Sequence, residues 1–136
     1  MTEDVAGGAD GSRYVYEAPL TAEAILAVGT LARSLGFEFV RVDLSGCSDK
    51  AEFLQRIATA LAFPSWFGHN WDALFDCLSD LGWRPAPGYV LLLENPREFR
   101  DAEPEVFDTA LAILGDAAVV WQERGVQFRV FVAAGL

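Results

Sequence analysis

Phe63-Pro-Ser-Trp-Phe-Gly-His-Asn-Trp-Asp-Ala-Leu-Phe-Asp-Cys-Leu-Ser-Asp-Leu-Gly-Trp83 sets an aromatic-rich loop directly before a short acidic helix. With Asn70 as N-cap, Trp71, Leu74, Phe75 and Leu78 fall at i, i+3, i+4 and i+7, the spacing of a core-facing stripe. Asp72, Asp76 and Asp80 then line the opposite face. Like charges at i,i+4 cost an isolated helix a few tenths of a kcal/mol per pair, and no Lys or Arg occurs between Ile57 and Trp83 to offset them. The carboxylates await a cation from elsewhere, so the helix has the character of a docking surface.

Upstream, residues 1–12 are rich in Gly, Ala and Asp and read as a disordered tail. Residues 13–36 form an N-terminal extension: a short strand at Arg13 to Glu17, then a helix from Thr21 to Leu35. Thr21 is its N-cap, Leu20 and Ile25 suit a hydrophobic staple, and Gly36 ends it. Phe37 to Leu44 reads as a strand. A helix over Asp49 to Ala62 opens with Asp49-x-x-Glu52, a capping-box variant, turns Phe53, Leu54, Ile57 and Leu61 inward, and stops before Pro64.

Downstream, Arg84-Pro-Ala-Pro-Gly88 makes a turn. Tyr89 to Leu93 is an unbroken apolar run, as in a strand covered on both faces. Arg97 to Asp101 suits a turn of helix, and Pro104 the first position of a long helix reaching Arg124, with Gly115 a place for a bend and Gly125 behind it. Val126 to Ala133 is the last strand. Strands separated by helices, with no tight Asn-Gly or Asp-Gly hairpin, predict an α/β fold: a small parallel sheet joined by right-handed crossovers and packed with helices. The extension adds a fourth strand at an edge of three core strands, and residues 37–136 form the main domain.

A chain of 136 residues fits one core, burying roughly two thirds of the unfolded chain's surface. Ten Lys plus Arg against twenty Asp plus Glu give a net charge of −10. That balance disfavours nucleic acid and anionic membranes as partners, because both are held through positive charge, and it favours a basic partner. The first twenty residues begin acidic and carry no continuous apolar stretch, so the expected location is the cytoplasm. Cys47 and Cys77 supply neither a disulfide framework nor metal-ligand spacing, and no cofactor motif occurs. Cys77 lies about 60 to 100° from the nearest stripe residues, at 100° per residue, and packs as a small hydrophobe.

Residues 63–83 carry a specific resemblance. Pro64, Trp66, Phe67, Gly68, Asn70, Asp72, Ala73, Leu74, Phe75, Asp76, Cys77 and Leu78 fall without a gap on the signature of the barstar family. That signature is a proline, two aromatics, Gly-x-Asn-x-Asp-Ala-Leu, an aromatic and Asp-Cys-Leu. The family comprises intracellular protein inhibitors of secreted microbial ribonucleases. A looser resemblance runs from about Phe37 to the C-terminus. It implies a three-stranded parallel sheet packed with helices, and a 1:1 complex with a basic, secreted, guanyl-specific (barnase-like) ribonuclease. The carboxylate matched by Asp76 lies at the heart of the nuclease site, with that matched by Asp72 beside it; Trp66 matches a ring that stacks on that site. The chain departs from the family at His69, usually acidic, at Trp71, usually aliphatic, and near Val120, where the last helix of the family offers an acid.

The residues support that mechanism in their own right. A ribonuclease gathers Arg, Lys and His around a phosphate position, and carboxylates placed there accept paired hydrogen bonds from them. Asp76 sits midway along the helix on its outward face; Asp72, one turn earlier, reaches the same side, although an acid in the first turn also favours the helix macrodipole. Asp80 continues the row. Trp66 and Phe67 supply contact area with little side-chain entropy to lose, while Phe67 also suits a roof on the core and Phe75 suits either burial or contact. Gly68 fits a positive φ, Asn70 the cap, and His69 either a polar loop position or a source of pH dependence. Two other function classes stand beside this one: an immunity protein against another basic toxin such as a DNase, and a hydrolase using Asp72, Asp76 and Glu94. One histidine, no Gly-x-Ser-x-Gly and no phosphate loop weigh against an enzyme. Glu94 closes a strand, where capping the next turn is the simpler role.

Overall fold

Five apolar residues in a row, Tyr89 to Leu93, need cover on both sides. In the computed structural model, which describes residues 10–134, they form the middle of β3 (Gly88–Glu94), buried from Gly88 to Leu93. Beside β3 lie β2 (Glu38–Asp43) and β4 (Gln127–Ala134), and β1 (Val15–Pro19) pairs with the outer edge of β4. The order is β1-β4-β3-β2 with every neighbouring pair parallel. Val15, Val130, Leu91 and Val40 stand in one row across the sheet. The fold is α/β, with three core strands and a fourth contributed at the edge by the N-terminal extension.

Side-chain alternation divides the helices between the two faces. Val40, Val42, Tyr89, Leu91, Leu93, Phe128, Val130 and Val132 share one core with α2 (Lys50–Ala60), α3 (Trp71–Asp80), α4 (Arg97–Ala102) and α5 (Pro104–Glu123). Phe53, Leu54, Ile57 and Leu61 enter it from α2 and its C-cap. Val90 and Leu92, also buried, point to the other side. That side belongs to α1 (Ala22–Ser34), which seats Gly29 so near the Phe39 ring that a Cβ there would lie 2.9 Å from it.

Helix ends follow the caps read in the sequence. Thr21 Oγ1 accepts from Ala24 N at 3.0 Å, Asp49 Oδ1 from Glu52 N at 2.8 Å and Asn70 Oδ1 from Ala73 N at 2.8 Å. Gly36 and Gly125 leave their helices with φ of 76°. The Asp49 box is not reciprocal, since Glu52 accepts instead from Ser48 N and Ser48 Oγ.

The N-terminal region departs from expectation. Residues 1–9 of the expected tail lie outside the described residues, whereas Gly11–Tyr14 form a 3-10 turn capped by Asp10, so the strand starts at Val15 rather than Arg13. The turn is seated on α5 by two glycines: a Cβ on Gly115 would fall 2.7 Å from Gly11 O, and one on Gly11 2.3 Å from the Gly115 carbonyl carbon. Gly115 thus permits backbone-to-backbone packing, and α5 continues through it from Pro104 to Glu123.

At the C-terminal ends of β2 and β3, the Asp43 carboxyl accepts from Asn95 Nδ2 at 2.9 Å and from Ser45 N and Oγ at 2.9 and 2.7 Å. Asn95 adopts φ 55° there. Hydrogen bonds from Asn95 and then Ser45 hold the Asp43 carboxyl down to about 2.

Two predictions follow from these packings. Gly115→Ala gains up to about 1 kcal/mol of helix propensity but overpacks the site, a cost of about 1–3 kcal/mol. Backbone atoms cannot step aside as a side chain can, so a net loss of stability in urea denaturation is expected. Asp43 has a folded pKa below its unfolded value, so its contribution is complete above about 4 and fades as pH falls through about 2. The stability difference between the native chain and Asp43→Asn should therefore shrink between those pH values; a constant difference would contradict the hydrogen-bond assignment.

Candidate functional site

The loop before α3 is built on aromatic packing. Phe67 N donates to Pro64 O at 3.0 Å, closing a turn that sends Trp66 outward and Phe67 inward. Trp66 is 64% exposed and Phe67 5%. The Trp66 ring meets Trp83 edge-on at 6.4 Å, Trp83 meets Phe63 at 6.0 Å, and Phe63 meets Phe67 at 4.9 Å. Trp83 is fixed in turn by its Nε1 donating to Leu61 O at 3.0 Å. Trp66 therefore stands on a ladder of rings rooted in the core, whereas Phe67 is the roof and offers no contact surface.

The left-handed residue in this loop is His69, with φ 53°, rather than Gly68. Its ring lies 4.6 Å from that of Phe67, with Nδ1 3.1 Å from Phe67 O. Gly68 has another reason to be small: a Cβ would come 3.2 Å from Asn70 Nδ2. Asn70 holds both ends of the corner, capping Ala73 and donating to Gly68 O at 3.3 Å.

Helix α3 buries Leu74, Cys77 and Leu78 completely, with Leu81 behind them. The buried line is rotated toward Cys77 relative to the stripe expected from spacing, and Trp71 and Phe75 end up half-buried at its border. Helix α5 lies along the border that carries Trp71, Phe75 and Ser79. Trp121 Nε1 donates to Leu78 O at 2.8 Å and Arg124 Nη1 to Ser79 O at 2.5 Å. Both acceptors belong to the last turn, whose carbonyls have no partner within the helix, and Arg124 brings a positive charge to its negative end. The burial of Cys77 pushes its thiol up, aided by Asp76 and Asp80, as burial does for Cys47; neither has the makings of a nucleophile.

Asp72, Asp76 and Asp80 are all exposed. The ion pairs formed among the described residues are Arg41–Glu94, Arg84–Glu38 and Arg100–Glu17, and none uses an α3 carboxylate. Asp80 is engaged in structure, its Oδ1 accepting from Gly82 N at 3.1 Å. Asp72 and Asp76 border a hollow of about 600 Å³ with Trp71, Phe75, Ile113 and Asp116. Asp116 comes from α5, the helix on which the chain departs from the family near Val120, where the family offers an acid. The acid stands one turn earlier, at a position whose relation to α3 only the packing defines. Cations flank the hollow: Lys50 Nζ lies 4.8 Å from the Trp71 ring centroid, and Arg124 shares a second hollow with Asp76, Ser79 and Asp80.

Glu94 is not part of this arrangement. Its carboxylate takes two hydrogen bonds from Arg41 across the β2–β3 pair, at 2.9 and 2.6 Å. It caps nothing and is not gathered with Asp72 and Asp76. Among the described residues no group of three or more His, Cys, Asp or Glu could hold a metal ion, and no helix is long and apolar enough to cross a membrane.

The parallel α/β scaffold thus carries exposed carboxylates on α3 and an exposed, braced tryptophan in the loop before it. The chain belongs to the barstar family, described as Barstar (barnase inhibitor), which matches residues 37–133. That family is one of inhibitors rather than enzymes; β1 and α1 lie outside the matched segment. In fold the chain is also similar to a chain in the structure of Drosophila ORC bound to DNA, with a TM-score of 0.51 and 15% identity over 90% of this chain, which spans 32% of that one. No curated protein matches it.

Two substitutions separate surface from scaffold. Asp76→Ala should leave thermal stability within about 0.5 kcal/mol or raise it slightly by relieving its like-charged neighbours. Trp121→Phe should cost about 1–3 kcal/mol, because the Leu78 carbonyl stays buried without its donor. Thermal denaturation of both variants checks the contrast, and a destabilised Asp76→Ala would make that residue a structural acid.

Proposed function

We propose that this chain inhibits a secreted, guanyl-specific ribonuclease by inserting the acidic edge of α3 into the enzyme's cationic active site in a 1:1 complex. The supporting observation is the hollow bordered by Asp72, Asp76 and Asp116, three carboxylates in no ion pair among the described residues. Asp76 takes the place of the substrate phosphate, Asp72 engages the rim of the cleft, and Asp116 gives the same cluster of cations a contact from a second helix. Trp66, held upright by Trp83, lies flat on the partner as a base would. His69, Asn70 and Gly68 set the loop's course, and Phe75 lends the apolar floor. Cytoplasmic residence accords with this role, since the inhibitor meets the nuclease before its export.

The test is a titration of the purified chain into a secreted guanyl-specific ribonuclease while RNA cleavage is followed. Stoichiometric inhibition with an end point at one inhibitor per enzyme is expected. Asp76→Ala should raise the inhibition constant by more than about 30-fold, the equivalent of a 2 kcal/mol hot spot, a magnitude that the barnase–barstar pair itself helped to define. Association should slow steeply with salt, because exposed charges steer only within a Debye length of about 8–10 Å. Inhibition of a DNase alone would move the assignment to immunity against a different basic toxin, and turnover of a small substrate would overturn the docking reading.

A further inference from the structure

The outward face of α1 inverts the usual pattern of a solvated helix. Leu26, Leu31 and Leu35 are 64, 62 and 53% exposed. Gly29 and Ala32 face inward. At 100° per residue, Leu26 and Leu31 flank a centre line formed by Ala27, Thr30 and Ser34, which are small enough for another backbone to approach. Only two residues of the helix are charged, Glu23 in the first turn and Arg33 in the last; neither enters an ion pair among the described residues, and the Arg33 guanidinium rests 5.8 Å from the Phe39 ring centroid. In a chain of net charge −10, this face carries no net charge.

We infer that α1 is the seat of a homodimer in which two copies cross antiparallel through this face. The two charges select the occupant. With a two-fold axis at residue 28, facing residue numbers sum to 56, so Glu23 lies opposite Arg33 of the partner subunit and Leu26 opposite Thr30 of the partner subunit, each twice. A parallel crossing would oppose like charges at both ends. A basic partner would find no excess negative charge here, whereas a second acidic copy meets no repulsion across the contact. The helix has 13 residues, so it offers a strip of about 20 by 10 Å. That is below the roughly 1,200–2,000 Å² buried in stable complexes, and the equilibrium is therefore weak and concentration-dependent. Because α1 lies on the sheet face opposite α3 and α5, the acidic hollow stays open in both copies, so dimerisation and docking are independent.

Sedimentation equilibrium of the full chain from micromolar to millimolar concentration tests this. A monomer–dimer equilibrium is expected, weakened by about tenfold or more in Leu31→Glu with an unchanged circular dichroism spectrum. Glu23→Arg and Arg33→Glu should each weaken self-association, and an equimolar mixture of these two variants should restore it, since each then supplies the charge the other lacks. Both side chains are exposed, so these variants remain informative should Leu31→Glu fold poorly. A chain monomeric throughout, a dimer indifferent to Leu31→Glu, or a mixture no better associated than its components would overturn the inference.

Discussion

Helix α3 is held in place by α5, and the remaining features of the surface depend on that grip. Its three aspartates repel one another along one edge, a cost of a few tenths of a kcal/mol per pair. Burial of Leu74, Leu78 and Leu81 outweighs this at about 1.5–3 kcal/mol for each side chain. Burial alone, however, would leave the last turn's carbonyls bare against a packed neighbour. The Trp121 indole and the Arg124 guanidinium supply those two hydrogen bonds, and the same contact brings Asp116 alongside Asp72 and Asp76. Stability and the concentration of negative charge thus have one origin.

The loop obeys the same economy of support. A tryptophan as exposed as Trp66 would sample many orientations if it stood alone, and ordering it on contact would cost entropy. Trp83, Phe63 and Phe67 settle that orientation beforehand, each ring edge-on to the next and the last buried. The positive φ at His69 is the local cost of turning the chain from this ladder into the helix.

Legibility in the sequence tracked the range of the interactions. Caps at Thr21, Asp49 and Asn70, the stop at Gly36 and the buried run of β3 depend on neighbours within a few residues, so their residue types announce them. The edge strand could be foreseen in kind, but the turn ahead of it rests on Gly115, a hundred residues away in the chain. For the same reason Gly115 suggested a bend while serving as a seat. Spacing alone puts Trp71 and Phe75 in the buried stripe, whereas they stand half-buried beside the hollow between α3 and α5. Asp116 was invisible on like grounds: an exposed acid on a long helix is unremarkable until another helix is laid beside it. Glu94 looked available because its partner, Arg41, lies on a different strand.

The glycine seat also fixes where attachments to this protein emerge. Asp10 and Gly11 line a groove with Asp108 and Asp116, and Asp116 belongs to the acidic hollow as well. Asp10 therefore stands close to that hollow, whereas the end of β4 shares its surroundings with Leu20, Ser45 and Glu94, at the carboxyl ends of the strands. A bulky label at Asp10 would crowd the charged cleft, whereas one at Ala134 would leave it clear.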